Sequence, residues 1–401
     1  MSEPLAAGVA PDRAGVAPDP SGAPDALWSG RDDDELRSIR RPSPETDAIL
    51  DRAASGIRIG PDEALRIFRQ APLLDLAMAA DLARRRLHPE PIVTYIIDRN
   101  INYTNVCVVR CSFCAFYRDP GHPEGYLHSK ETLFAKIEET LAMGGTGILM
   151  QGGHHPDLPI EWYEDLLASF RERFPGLHIH AFSPPEIQHV ARVSRLPIEQ
   201  VLLRLKAAGL QSIPGGGGEI LVDQVRRAIS PLKTMSAEWL DVMETAHRVG
   251  LPTTATMMFG HVETYSDRVT HLESIRALQD RSLGRGARGF TAFIAWTYKA
   301  ENTALGGREV TSADYLRTQA IARLYLDNVP NLQSSWVTQG KEIGQVALKF
   351  GANDMGSIMI EENVVRAAGA HGCTTRPEIE RLIREAGYIP RQRDTLYALV
   401  A

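Results

Sequence analysis

Three cysteines, Cys107, Cys111 and Cys114, fall within eight residues in the run Cys107-Val108-Val109-Arg110-Cys111-Ser112-Phe113-Cys114. Three thiolates at Cys-x-x-x-Cys-x-x-Cys spacing do not complete a four-ligand structural zinc site. They can hold three irons of a 4Fe-4S cubane and leave the fourth iron open to a substrate or cofactor. Two plainer readings stand beside this one. One is a zinc site completed by Cys373 or a distant histidine; the other is three unconnected buried thiols.

Other chemistry-bearing residues sit where apolar runs end. Gly152-Gly153 closes the run Gly147-Ile148-Leu149-Met150-Gln151. A glycine pair there lets a ligand approach the backbone, or is simply a turn. Pro214 is followed by Gly215-Gly216-Gly217-Gly218 and Glu219. That run lacks the Gly-Lys-Ser/Thr ending of a phosphate loop, so it reads as a tight loop that a ligand can approach. Arg226 follows, and a helix-surface pair with Glu219 is its plain reading.

The elements that must position these groups alternate along the chain. Strands are expected at residues 93–97, 147–151, 177–182, 210–213, 253–259, 290–295, 332–335 and 357–360, from β-branched and aromatic runs. Helices are expected between them at 129–143, 161–174, 198–208, 236–249, 265–279, 312–328 and 339–350. Strand–helix–strand units of this spacing imply right-handed parallel crossovers. Eight of them make an α/β fold of the TIM-type (β/α)8 class, with reactive groups on loops at the C-terminal strand ends. A partial barrel of six units is the structural alternative. Residues 1–44, rich in Ala, Pro, Gly and Asp, are expected to form a disordered tail. Residues 45–90 form a helical segment expected to cap the barrel's N-terminal face. The barrel takes residues 91–375, and 376–401 form a C-terminal helix and tail.

The 401 residues, with 43% hydrophobic and 23% charged content, suit a globular protein with a large core. A formal net charge of −6 leaves no whole-protein footprint for nucleic acid. No apolar run of membrane-spanning length and no secretory leader is visible, and four cysteines are no disulfide framework. A reducing, cytoplasmic setting is expected.

The cysteine spacing, with Phe113 before the last thiol, resembles the radical S-adenosylmethionine (SAM) superfamily. Asn102-Tyr103-Thr104-Asn105, Gly121-His122-Pro123-Glu124-Gly125-Tyr126, Met150-Gln151-Gly152-Gly153, His180-Ala181-Phe182-Ser183-Pro184-Pro185-Glu186 and Met257-Met258-Phe259-Gly260-His261-Val262-Glu263-Thr264 narrow the resemblance. Over about residues 90–395 the chain is similar to the cyclic dehypoxanthinyl futalosine synthase family of menaquinone biosynthesis. Aminofutalosine synthases and the deazaflavin-forming radical SAM enzymes are the neighbouring families; a non-catalytic metal-binding protein is the remaining alternative.

The resemblance implies one 4Fe-4S cluster on Cys107, Cys111 and Cys114, with SAM on the open iron. It implies that Phe113, Gly152, Gly153, Glu219, Arg226, Met258, Gly260 and Trp296 serve the cofactor. The glycine pair would meet the SAM amino group through backbone, Glu219 and Arg226 its amino and carboxylate groups, and Met258 its adenine. His154 stands where the superfamily usually has Glu. Thr256 and Met258 replace the first Gly and the Ile of its fifth-strand motif. The implied reaction removes hydrogen from C4′ of the ribose of dehypoxanthinyl futalosine. The resulting radical closes onto the benzoate ring, which then loses a proton and an electron. His122, His180, Glu186 and His261 are candidate bases by loop position, and Tyr117 could hydrogen-bond the sugar. For each, a structural role is the competing reading. A flavodoxin or ferredoxin would supply electrons.

Overall fold

The computed structural model describes residues 43–370 and 372–400. Nearly all of the tail expected at 1–44 lies outside those residues. Its last two open a helix, Pro44–Ala54, whose N-cap Ser43 accepts from the Thr46 amide at 3.2 Å. A serine cap followed by proline satisfies one orphan amide and removes another. Helices Pro61–Gln70 and Leu73–Leu87 follow, parted at Ala71-Pro72. They lean sideways on the outer helices Tyr265–Gly284 and Ser312–Tyr325. Phe68 stacks on Tyr265 with centroids 4.8 Å apart, and Arg317 Nη1 donates to Ala71 O at 2.7 Å. The same extension also reaches the N-terminal side of the barrel, where His88 Nε2 meets Pro330 O at 2.9 Å and Arg84 lies over the Tyr388 ring.

Among the described residues nine strands carry the barrel: β1 Ile92–Ile96, β2 Asp98–Ile101, β3 Gly147–Met150, β4 His178–Ala181, β5 Thr253–Phe259, β6 Phe290–Thr297, β7 Asn331–Gln333, β8 Asp354–Ser357 and β9 Ile389–Arg393. All strand pairs are parallel, in the orders β2-β3-β4 and β5-β6-β7-β8-β1-β9. β1 and β2 are one strand broken at Ile97, which joins the two sheets on one side. On the other, bridges His180↔Ser212 and Ile213↔Thr253 stand in for a fourth strand. Pro214 has no N–H with which to extend that ladder. Counted this way the ring closes with eight positions.

Several strand boundaries move by one or two residues, and the last two strands shift most. The seventh ends at Gln333 rather than Ser335, and the eighth starts at Asp354 rather than Ser357. The apolar Ile358-Met359-Ile360 that drew the eighth strand onward follow its end, where Met359 has φ +53.

The C-terminal tail is also more than a tail. After the helix Arg376–Glu385, β9 pairs with β1, taking beside the first half of that strand the place β3 takes beside the second. The chain then turns back: Asp394 N donates to Ala398 O at 2.8 Å and Val400 N to Gln392 O at 2.9 Å. Arg288 Nη2 holds Leu396 O at 2.6 Å, and Gln392 Nε2 holds Gly144 O at 2.8 Å. Arg288 precedes β6 and Gly144 precedes β3. This hairpin closes the N-terminal end of the barrel.

Strand alternation decides what faces where. Ile148, Ile179, Ala255, Met257 and Phe293 are buried against the outer helices. Their neighbours Asn100, Gln151, His180, Thr254, Thr256 and Gln333 line a cavity inside the ring. Among the described residues no helix is long and apolar enough to cross a membrane.

Candidate active site

The cysteine loop leaves the C-terminal end of β2. Its backbone is fixed from several sides: Cys107 N donates to Arg118 O at 2.9 Å, Cys114 N to Cys111 O at 3.1 Å, and Ser112 N to Ile229 O at 3.0 Å. Arg118 Nη1 donates to Tyr117 O at 2.9 Å and its Nε to Glu124 at 2.6 Å. All three cysteines are free thiols, Cys111 buried and the others half-buried, while Cys373 is exposed. Burial pushes the Cys111 thiol up to about 12 and raises Cys114; Lys233 pulls both down. Bound iron reverses this, because a coordinating thiol is deprotonated outright. Among the described residues no three His, Cys, Asp or Glu converge closely enough to hold a single metal ion. A cubane takes each thiolate on a separate iron, so thiols spread around one loop fit it.

Gly152 and Gly153 press against that loop. A Cβ on Gly152 would lie 2.6 Å from the Tyr103 ring, and one on Gly153 2.2 Å from Val106 O. Their amides are already engaged: Gly152 N donates to Glu186 Oε1 at 2.9 Å and Gly153 N to Thr104 O at 2.9 Å. The Gly153 carbonyl also accepts from His155 N at 3.0 Å, so the turn is held on both sides.

Glu186 is a hub rather than a base. Oε1 also accepts the Tyr103 hydroxyl at 3.0 Å, and Oε2 accepts Ser183 N and Oγ at 2.8 and 2.6 Å. Burial raises its pKa against these four donors. It caps the helix Pro184–Ser194. The sequence carried that signal: Ser183-Pro184-Pro185-Glu186 is a capping box with proline at the first helical position.

Arg226 is likewise occupied. It is fully buried and donates to Thr234 O at 2.8 Å, Gly218 O at 2.9 Å and Gly217 O at 2.9 Å. It shapes the glycine loop and leaves no fork for a cofactor carboxylate, which corrects that expectation. Glu219 lies 3.6 Å from it and pairs more closely with Lys233, at 2.9 Å. Burial alone would lower the Lys233 pKa; Glu219 and Cys111 hold it raised. Its ammonium sits 5.3 Å from the Phe113 ring centroid. Lys233 was not singled out from sequence, since a lone lysine in a Pro-Leu-Lys-Thr loop looks like any surface lysine.

The ring encloses about 310 Å³, bounded toward the cysteine loop by Gln151, Gly216, Glu219 and Trp296. Trp296 stands beside Met258 in the β5–β6 register. Met258 is buried, and its amide donates to Glu219 O at 3.1 Å. Of the five residues expected to handle protons or the sugar, His180 alone lines this cavity. Its Nδ1 meets Ser212 Oγ at 2.7 Å, and burial pushes its pKa down to about 3, so the ring is neutral near pH 7. His261 is sealed inside its turn, with Nε2 at 3.1 Å from Met258 O and Nδ1 accepting from Val262 N at 2.8 Å. Glu263 closes the same turn on Gly260 N at 2.7 Å, where Gly260 has φ +94. His122 is exposed, its Nδ1 accepting from Glu124 N at 3.1 Å. Tyr117 is half-buried on the cysteine loop, outside the cavity lining.

Comparison with known proteins agrees with this geometry. The radical SAM superfamily matches residues 101–275, and the CofH/MqnC C-terminal region matches residues 287–401. The chain is 47% identical over 355 residues to the cyclic dehypoxanthine futalosine synthase of Halalkalibacterium halodurans, covering 88% of this chain and 95% of that protein. To the protein of the same name from Streptomyces coelicolor it is 50% identical over 353 residues, covering 87% of each. The crystal structure of methylornithine synthase superposes with a TM-score of 0.65 at 17% identity, covering 85% of this chain and 97% of that one, a likeness of fold alone.

Proposed function

We propose, since the chain belongs to the radical SAM superfamily and within it to the cyclic dehypoxanthine futalosine synthase family, that Cys107, Cys111 and Cys114 hold a 4Fe-4S cluster whose open iron takes SAM at the mouth of the barrel cavity. This is the futalosine route to menaquinone. Bound together, cluster and SAM supply a 5′-deoxyadenosyl radical. The substrate is dehypoxanthinyl futalosine. One hydrogen leaves C4′ of its ribose, C4′ bonds to the benzoate ring, and a proton and an electron leave, so the product is lighter by two hydrogens.

The chain's own residues bind, orient and exclude. Gly216, Gly217 and Trp296 wall the upper cavity, and Gln151, Thr254 and Thr256 offer polar groups to a sugar. Enclosure keeps water and stray hydrogen donors from the radical. His180, neutral and fixed by Ser212, lines the cavity beside these polar groups. Glu219 and Lys233 carry the wall between cavity and cysteine loop. A flavodoxin or ferredoxin delivers the electron.

One observation carries this reading: the three-thiol loop, both glycine turns and the cavity mouth share the C-terminal end of one barrel. Anaerobic reconstitution tests it. We expect about four irons and four sulfides per chain, an electron-spin signal that changes when SAM is added, loss of both in Cys111→Ala and retention in Cys373→Ala. A colourless protein carrying zinc would overturn it.

A further inference from the structure

The floor of the cavity is built by the C-terminal hairpin: Arg393, Thr395 and Tyr397 all line it. Tyr397 has φ +66, a left-handed backbone that a bulky residue adopts only where its surroundings impose it. Its ring centroid lies 3.9 Å from Arg393 Cζ. That arginine is pinned: Nε and Nη2 hold Asp354 at 2.6 and 2.9 Å, and Nη1 donates to Asp394 O at 2.9 Å. The Tyr397 hydroxyl, by contrast, has no hydrogen-bond partner among the described residues. That hydroxyl stands on the lining of a largely apolar cavity, where a ligand's polar group can reach it.

The other titratable group on the floor is Asp98, at the start of β2. Burial raises its pKa, and Asp354 adds to this, while Ser357 and Arg393 oppose. The floor therefore presents the Tyr397 and Thr395 hydroxyls beside a guanidinium whose charge Asp354 already balances. Such a set orients an anion through donors rather than through net charge.

We propose that Tyr397 is a substrate-binding residue that donates its hydroxyl to an aromatic carboxylate at the floor of the cavity. The inference rests on the substrate reading above, and the layout supports it. The floor lies at the end of the barrel opposite the cysteine loop. A substrate whose sugar faces that loop must send its far end, the benzoate carboxylate, toward Tyr397. A cavity of about 310 Å³ is of the size that holds one such molecule.

Equilibrium binding of dehypoxanthinyl futalosine and of its methyl ester to the reconstituted protein, with SAM present, tests the assignment without requiring turnover. The wild-type chain should prefer the acid. Tyr397→Phe keeps the ring over Arg393 and should lose about tenfold of that preference, with SAM affinity and thermal midpoint unchanged. An unchanged acid-to-ester ratio, a loss that falls on SAM, or a wild-type chain indifferent to the ester would overturn it. Failure of the functional reading registers separately, as a wild-type chain that binds the acid and forms no cyclised product.

Discussion

Replacing Gly153 with alanine isolates the link between the β3 turn and the cysteine loop. A Cβ at Gly153 would lie 2.2 Å from Val106 O and 3.0 Å from Cys107 Cβ. Ordinary contact begins at 3.4 Å, so the two backbones must part by 3.4 − 2.2 = 1.2 Å. The hydrogen bond from Gly153 N to Thr104 O, 2.9 Å long, lies in the path of that shift. Overpacking of this kind costs about 1–3 kcal/mol, and the strained hydrogen bond adds about 1 kcal/mol. A large chain absorbs this with a thermal midpoint lower by a few degrees. Function is more sensitive, because a displacement of about 1 Å at a reacting centre costs on the order of a hundredfold in rate. Iron and sulfide content, the electron-spin signal with SAM, and turnover are the readouts. Gly176→Ala is the control, since a Cβ there meets nothing within 4 Å. If Gly153→Ala kept wild-type iron content and turnover, the coupling between turn and loop would be refuted.

Other expectations follow from the buried charges. Burial holds His88, His178 and His247 down to about 4, and His180 and His271 down to about 3. Below the ordinary value of 6.5 the unfolded chain takes up these protons and the native chain does not, so stability is lost as the pH falls. A ring buried as deeply as His180 costs about 2 kcal/mol at pH 5, being 1.5 pH units at about 1.36 kcal/mol each. Calorimetry should show the midpoint dropping from pH 7 to pH 5, and a flat profile would contradict the burial argument. Glu186→Gln turns an amide NH2 toward donors that now meet a carboxylate. It should cost about 1–3 kcal/mol in denaturant unfolding; a neutral result would mean the four bonds are not formed. Lys233→Met leaves buried Glu219 with the more distant Arg226, 3.6 Å away, as its counter-charge, at a cost of about 1–3 kcal/mol. It also removes positive charge beside Cys111 and Cys114, so a spin-monitored redox titration should find a lower cluster potential; a raised one would be inconsistent.

What could be read from the chain was what local chemistry dictates. Cysteine spacing, glycines after strand runs and the strand–helix alternation need no tertiary knowledge, and they point to the cysteine loop and the barrel. What was missed depended on partners distant in sequence. Ile389-Pro390-Arg391-Gln392-Arg393 has no apolar alternation. Its place beside β1 comes with the Arg393–Asp354 pair, so neither β9 nor the hairpin floor was visible. Arg226 resembled a carboxylate clamp until its guanidinium was found spent on the carbonyls of Gly217, Gly218 and Thr234. His122 and His261 looked alike as loop histidines, yet one is exposed and the other fully buried. Only packing separates them from His180.

The most direct test of the whole account is the product. The reconstituted protein, SAM, a strong reductant and dehypoxanthinyl futalosine would be combined without oxygen and analysed by mass spectrometry. The account predicts 5′-deoxyadenosine together with a product about two mass units below the substrate, one hydrogen having gone to the deoxyadenosyl carbon and one to base and electron acceptor. Release of 5′-deoxyadenosine with the substrate unchanged would contradict it.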